Sequence, residues 1–414
     1  MRQVLRNTLC LLITGLVSIP TLADEKLSLE NDLKLTRSMN EFAIHLHEAF
    51  TLDHETNFVF SPYLLYRNLS LLSQGARDVT STQISKTLKL PIYDKALNQT
   101  QTQLHAKFFP SSNTSFDTLK SSEALWLDMD SFILSKFRHL AASQYETQTS
   151  NLTFSSPSQA AVILNTWVSN QTQNKLSHMV EDSQITPSSR MISTGFILLE
   201  GYWAIPFEER KTSEKTFKTY QQEAVLVQVM ENLHLFPYFE NDLVQVLSLP
   251  IKKNNDLSPS LAMLIALPKS SVQELLSSMN EFSFSQWLYS LDDRFVHVEL
   301  PKFTIQYLAE FSSSLSKLGI KNAFTPKADF SGINGMKDLY LNKILQSHLL
   351  VFDEQGVHSK VAPPIKAPQI TPAAVEVPLQ FSALKPFCFF LVELSTRTIL
   401  IQGNFTQPEA GGVE

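Results

Sequence analysis

The sequence predicts an α+β fold. Three observations carry this. The 414 residues are 43% hydrophobic and 18% charged, enough apolar sequence for a large core. Two-residue and helical hydrophobic periods both occur along the chain. The two kinds of segment follow one another without the regular strand–helix alternation of a doubly wound sheet.

The first clear element is an amphipathic helix over 33–50, where Leu35, Met39, Phe42, Leu46 and Ala49 recur at helical spacing. Asn57-Phe58-Val59-Phe60-Ser61-Pro62 reads as a short strand ending at a helix start, because proline fits the first turn. Leu64 to Gly75 is apolar on most sides and so predicts a buried helix. Residues 95–120 are polar and weakly patterned. A helix is expected from Gln159 to Val180 and a buried strand over 190–207. Val244 to Pro250 alternates as a strand, and Leu261 to Pro268 is a continuous apolar run suited to a central one. Val296 to Phe303 alternates again, a helix over 308–320 ends at Gly319, and Leu349 to Phe352 is a strand. Phe387 to Leu394 and Thr398 to Phe405, joined by Ser395-Thr396-Arg397, predict an antiparallel hairpin. No repeat or linker divides the chain, so residues 24–414 are expected to form a single domain.

The N-terminus reads as a secretory signal peptide. Arg2 and Arg6 precede the apolar stretch Leu9 to Ile19, and Thr21-Leu22-Ala23 supplies a cleavage site before Asp24. That stretch is short for a membrane span, and no other apolar run is long enough for one. A secreted, extracellular or periplasmic location is expected. Cleavage after Ala23 would shift the formal net charge from −6 to −8. It would also remove Cys10 and leave Cys388 as a single thiol, which cannot form an intrachain disulfide. Within Phe387-Cys388-Phe389-Phe390 that thiol is expected to be buried and inert.

Catalytic patterns are missing. The chain has no GxSxG, HExxH, GxxxxGK or CxxC motif. His45 and His47 are two positions apart on a helix and point to different sides, a poor metal pair. No block of like charge suggests a nucleic-acid or heparin surface. The chain is therefore read as a non-enzyme without cofactor or metal. Six Asn-x-Ser/Thr sequons occur, and the one at Asn68 lies on the buried helix, where a glycan would not fit.

One stretch stands apart. Pro363, Pro364, Pro368, Pro372 and Pro378 crowd the segment between Glu354 and Phe381. So many prolines suit neither a helix nor a central strand, which leaves a long exposed loop between two strands.

Several blocks, in order, resemble the serpin family. They begin with Asn57 to Pro62, Leu72-Ser73-Gln74-Gly75-Ala76 and Asn165-Thr166-Trp167-Val168. Gly201, Trp203 and Pro206-Phe207 follow, then Leu300-Pro301-Lys302-Phe303. Ala328-Asp329-Phe330-Ser331-Gly332-Ile333, Pro386-Phe387 and Ile399 to Gly403 complete the set. The resemblance implies three β-sheets with surrounding helices and an exposed reactive-centre loop, here about 354–381. It also implies a suicide substrate. A serine or cysteine endopeptidase cuts the loop and forms an acyl-enzyme, the cut loop inserts as a new strand, and the protease is trapped. A monomer is expected, with no nucleic-acid partner.

The same resemblance makes Glu354, Gly356, Val357 and Ser359 the hinge, places the scissile bond near Ile370-Thr371, and marks Ser61, Gly195, Trp203 and Gln346 as the interior positions over which the sheet must part. Leu64, Gly195 and Gln346 stand where the family usually has serine, asparagine and histidine, which predicts a less polar interior. The loop gives opposed signals. Val357, Ser359, Val361, Pro363 and Ile365 alternate with His358, Lys360, Ala362, Pro364 and Lys366, as a future strand should. Lys360 and the paired prolines oppose insertion and favour an alternative, a non-inhibitory binding, carrier or decoy protein.

Overall fold

The computed structural model describes residues 22–90, 95–110, 119–252, 259–358 and 377–408, with side chains from residue 30 in the first helix and from residue 98 in the fourth. The first half comprises helix α1 (Leu22–Thr51), strand β1 (Phe58–Phe60), helices α2 (Pro62–Gly75), α3 (Asp78–Leu88) and α4 (Lys95–Phe108), strand β2 (Leu119–Asp128), helix α5 (Ser135–Gln144), strand β3 (Thr147–Leu152) and helix α6 (Pro157–Gln171). Strands β4 (Met191–Leu199), β5 (Gly201–Trp203), β6 (Ser213–Lys218), β7 (Ala224–Glu240), β8 (Val244–Lys252) and β9 (Leu261–Pro268) follow. Helices α7 (Val272–Ser278) and α8 (Glu281–Tyr289) lead to β10 (Asp292–Pro301), β11 (Phe303–Glu310), α9 (Ser312–Lys317) and α10 (Ser331–Asn334). The chain closes with β12 (Leu341–Phe352), β13 (Gly356–His358), β14 (Leu379–Ser382), β15 (Phe387–Glu393) and β16 (Thr398–Phe405).

The strands group into three regions. The first runs β3-β2-β4-β12-β11, the second β6-β7-β10-β14, and the third β1-β16-β15-β9-β8. They are hydrogen-bonded into one network rather than three separate sheets. Long β7 pairs with β6 and β10 and then with β8, and β5 ties the first region to β8. Terminal strands β15 and β16 pair as the expected hairpin, with Arg397 in its turn at φ 59°. The N-terminal β1 closes onto β16 through Phe58↔Asn404. The central position expected for β9 holds, between β8 and β15.

Buried apolar residues form a main core between the sheets and helices α1 and α2, a second cluster under α6, and a third under α7 and α8. Cys388 lies in the third cluster, fully buried, and burial pushes its thiol pKa far up. The sequon residue Asn68 is buried and donates to Ser193 Oγ at 2.7 Å. Among the described residues no helix is long and apolar enough to cross a membrane.

Several elements differ from the sequence reading. Helix α6 stops at Gln171 rather than Val180. Thr172 Oγ1 turns back to Val168 O and accepts from Leu176 N, and Gln173 and Asn174 enter the left-handed region at φ 54° and 65°. The helix expected over 308–320 is only Ser312–Lys317, because Tyr307 to Glu310 extend β11 against β12. Val296 to Phe303 divides between β10 and β11 at Lys302. The weakly patterned 95–120 region holds α4.

Candidate functional site

The segment after β12 folds back as a tight hairpin. Asp353 Oδ1 accepts from the backbone N–H of Gln355 (2.8 Å) and Gly356 (3.1 Å), the side-chain turn that aspartate favours. Strand β13 then enters between β12 and β5, with Phe352↔Val357 and Val351↔His358 on one side and Val357↔Gly201 and Gly356↔Tyr202 on the other. Gly356 is required by this close approach. A Cβ there would sit 1.9 Å from the carbonyl oxygen of Gly201, a backbone atom that cannot step aside.

Glu354 anchors the turn. Its buried carboxylate accepts from Thr212 Oγ1 at 2.7 Å and pairs with Lys302 at 2.9 Å, while its backbone oxygen accepts from Phe207 N at 2.8 Å. Trp203 N donates to Gln355 O at 2.8 Å, and its indole Nε1 to Asp353 O at 3.0 Å. The His358 ring lies against Tyr202, with Nε2 3.5 Å from Asp353 Oδ1. Burial pushes the Asp353 carboxyl up, but the imidazole and the two backbone donors outweigh it and hold the pKa below its ordinary value. Glu354, Gly356, Val357 and Trp203 thus meet at one end of the first sheet.

Ser61, Gly195 and Gln346 meet lower down. Strands β4 and β12 are parallel and paired from Leu341↔Met191 to Gln346↔Gly195, and no rung joins the two strands above that point. At about 3.3 Å per residue, the six positions from Gly195 to Gly201 leave a fork of roughly 20 Å between the last closed rung and β13. Ser61 sits beneath it as the N-cap of α2. Its Oγ accepts from Leu64 N and donates to Leu400 O at 2.7 Å. Gln346 grips the Ser61 backbone from both sides, Oε1 accepting from Ser61 N at 2.9 Å and Nε2 donating to Ser61 O at 3.0 Å.

The interior is therefore not depleted of polar bonds, contrary to the expectation from Leu64, Gly195 and Gln346. His348 lies two residues beyond Gln346 on the same strand face, with Nε2 3.0 Å from Gln346 Oε1. Burial lowers its pKa to about 3, so it sits at the fork as a neutral ring. Sequence reasoning overlooks His348, although the two-residue strand period from Gln346 is the available signal. Ser359, Lys360, Pro363, Pro364, Ile370 and Thr371 lie outside the described residues, as do residues 1–21.

The family model described as "Serpin (serine protease inhibitor)" matches residues 37–408. The chain belongs to the serpin family. This serpin is 27% identical over 390 residues to a serine protease inhibitor of Rattus norvegicus, covering 92% of this chain and 90% of the relative. It is 28% identical to an uncharacterized serpin-like protein of Methanosarcina acetivorans, covering 92% and 89%. Human thyroxine-binding globulin superposes with TM-score 0.81 at 24% identity, over 92% of this chain and all of the other, which establishes the shared fold.

Behind the fork, Gly195 is also paired with Glu123 of β2 in this serpin. Burial raises the Glu123 pKa to about 7, opposed by the Arg67 guanidinium 4.0 Å away. Arg67 is itself fully buried and donates to Tyr145 O at 2.8 Å. The Arg67 guanidinium and a carboxyl group that burial holds partly protonated near neutral pH therefore lie together between α2 and β2, next to the last closed rung.

Proposed function

We propose that this serpin inhibits an endopeptidase as a suicide substrate, with the segment 354–381 as bait. One observation carries the reading: the hinge already lies as the first rungs of an added strand between β5 and β12, above an unpaired fork. A loop cut by a protease would continue from His358 into that fork, gaining rungs on both sides. The name of the rat relative supports protease inhibition, and exchange of loop strain for strand pairing supplies the driving force. The protein would be consumed rather than turn over, as a monomer, with a serine or cysteine protease as target. Cleavage after Ala23 would place it outside the cytoplasm.

A second reading rests on register. Continuing Val351↔His358 down β12 brings Lys360 opposite Leu349 and Pro363 opposite Gln346. Continuing Val357↔Gly201 along β4 brings Lys360 opposite Leu198 and Pro363 opposite Gly195. Lys360 would then face the cluster under α6, to which Leu198 and Leu349 belong. Pro363 and Pro364 would arrive at the first closed rungs without N–H donors, leaving carbonyls unpaired at on the order of 1–3 kcal/mol each. Insertion that stops there would let the protease finish hydrolysis, the behaviour of a non-inhibitory binding or carrier serpin.

The deciding experiment is to nick the loop and compare melting temperatures of nicked and intact protein. A large rise on nicking, together with a denaturant-resistant complex with at least one serine or cysteine protease, is expected for the inhibitor. An unchanged or lower melting temperature would exclude trapping and leave the second reading. In that case replacing Lys360, Pro363 and Pro364 by alanine should create inhibition.

A further inference from the structure

A groove of about 500 Å³ lies far from the loop in sequence, between α1, α3 and the turn after α9. Its apolar floor comprises Phe42, Leu318 and Gly319. Phe42 is buried edge-on against Tyr66 at 5.8 Å, and Tyr66 in turn donates to Leu88 O, so the floor is backed by packed residues.

The walls are tied to one another. Thr87 Oγ1 donates to Leu318 O at 3.1 Å, and Gln83 Oε1 accepts from the backbone N–H of Lys321 (3.0 Å) and Asn322 (2.7 Å). Helix α3 and the α9 turn therefore hold their spacing without a ligand. Gly319 adopts φ +109° there, a conformation only glycine takes without strain. The volume falls in the range of sites that hold drug-sized molecules.

Every titratable side chain that lines the groove is basic: His45, Lys86, Lys89 and Lys321. Lys89 is neutralised by Glu41. Lys86 and Lys321 are exposed and have no acidic partner among the described residues. These two ammonium groups over an apolar floor, on a chain of net charge −6, make a local field opposite to that of the whole molecule.

We infer that this groove binds a small amphiphilic anion, with a carboxylate or sulfonate head between Lys86 and Lys321 and an apolar body on Phe42 and Leu318. The head gains two charge-assisted hydrogen bonds, and the body leaves water for a floor that is already formed.

The test is calorimetric titration of the intact chain with dodecanoate, kept below its micelle concentration. Binding should strengthen along the series from hexanoate to dodecanoate, by roughly twofold per methylene or more. A Lys86→Gln/Lys321→Gln variant should lose roughly tenfold in affinity, about 1.4 kcal/mol. Lys86→Arg/Lys321→Arg should retain binding. Both variants change exposed residues and should melt with the parent protein. Undiminished affinity in the double glutamine variant would overturn the inference. So would equal binding of the neutral alcohol dodecanol, absence of dodecanoate binding, or inorganic sulfate binding as tightly as dodecanoate.

Discussion

Replacing Gly356 by alanine tests whether the hinge is seated in the sheet. The new methyl carbon would lie 1.9 Å from Gly201 O and 2.9 Å from Tyr202 Cα, both backbone atoms, so β13 must leave its slot. Leaving exposes Val357, now fully buried, at about 2 kcal/mol. The bonds from Trp203 N to Gln355 O and from Trp203 Nε1 to Asp353 O add about 1 kcal/mol each. Freeing three residues returns roughly 3 kcal/mol of backbone entropy, so the net destabilisation is about 1 kcal/mol. Tryptophan emission is the sharper readout. Of the four tryptophans, Trp126 and Trp167 belong to the cluster under α6 and Trp287 to that under α8, while Trp203 alone touches the hinge. The variant should show red-shifted emission before unfolding and a lower urea midpoint. If the parent emission and midpoint survive the substitution, residue 356 does not face Gly201, and the argument from a pre-seated hinge collapses.

Gln346→Leu should cost about 2–4 kcal/mol in urea unfolding, because it strands the Ser61 N–H and C=O and the Nε2 of His348 in the interior; a loss under about 0.5 kcal/mol would be incompatible with the two-sided grip. Stability should rise from pH 4.5 to 6. Burial lowers His47, His105 and His348 to about 4, 2 and 3, from 6.5 when unfolded, so unfolding takes up three protons in this window and their stabilisation is lost as pH falls. Glu123, raised to about 7 from 4.5, works the other way and releases one proton, its stabilisation being lost as pH rises. The net uptake of two protons gives a slope of at most about 2.7 kcal/mol per pH unit, and urea melts at pH 4.8 and 5.8 showing a flat or falling trend would contradict the neutral histidines. Cys388 should be silent to a thiol reagent in the native protein and react fully in urea, since it is completely buried with its thiol pKa pushed up; native reactivity on the minute scale would count against its burial.

Local signals are the legible ones. Glu354-Gln355-Gly356 is placed by its resemblance to the family's hinge, whereas the need for glycine there, the approach of the Gly201 carbonyl, arises 155 positions earlier and carries no sequence trace. Gln346 can be placed, but the polar cluster escapes a position-by-position match because its replacement ring, His348, stands two positions away. Leu176 and Val180 keep helical spacing beyond Thr172, so periodicity carries helix α6 too far. The Thr172 hydroxyl ends it with bonds that spacing cannot reveal. The helix expected from 308 starts late because Leu308 and Ala309 suit either period, and only pairing with β12 assigns them to a strand. The groove lysines are hidden for a different reason. Lys86 and Lys321 are more than two hundred positions apart, so no charge run announces them.

The pairing of β1 with β16 has a consequence for how the chain is made. His47 and Asn404, hydrogen-bonded at 2.8 Å in the finished core, are 357 positions apart. Strand β1, which carries the buried Phe58 and Phe60, pairs along its length with β16, residues Thr398–Phe405. At 5–20 residues per second, a ribosome needs roughly 20–70 s to supply those strands after the N-terminal helix has emerged. During that interval β1 lacks its pairing partner and His47 its partner Asn404, and contacts of such sequence separation form slowly even once the chain is complete. Yield in a host cell should therefore depend on what shields the nascent N-terminal half, and removing even the final strand should leave an unfolded chain rather than a shortened serpin.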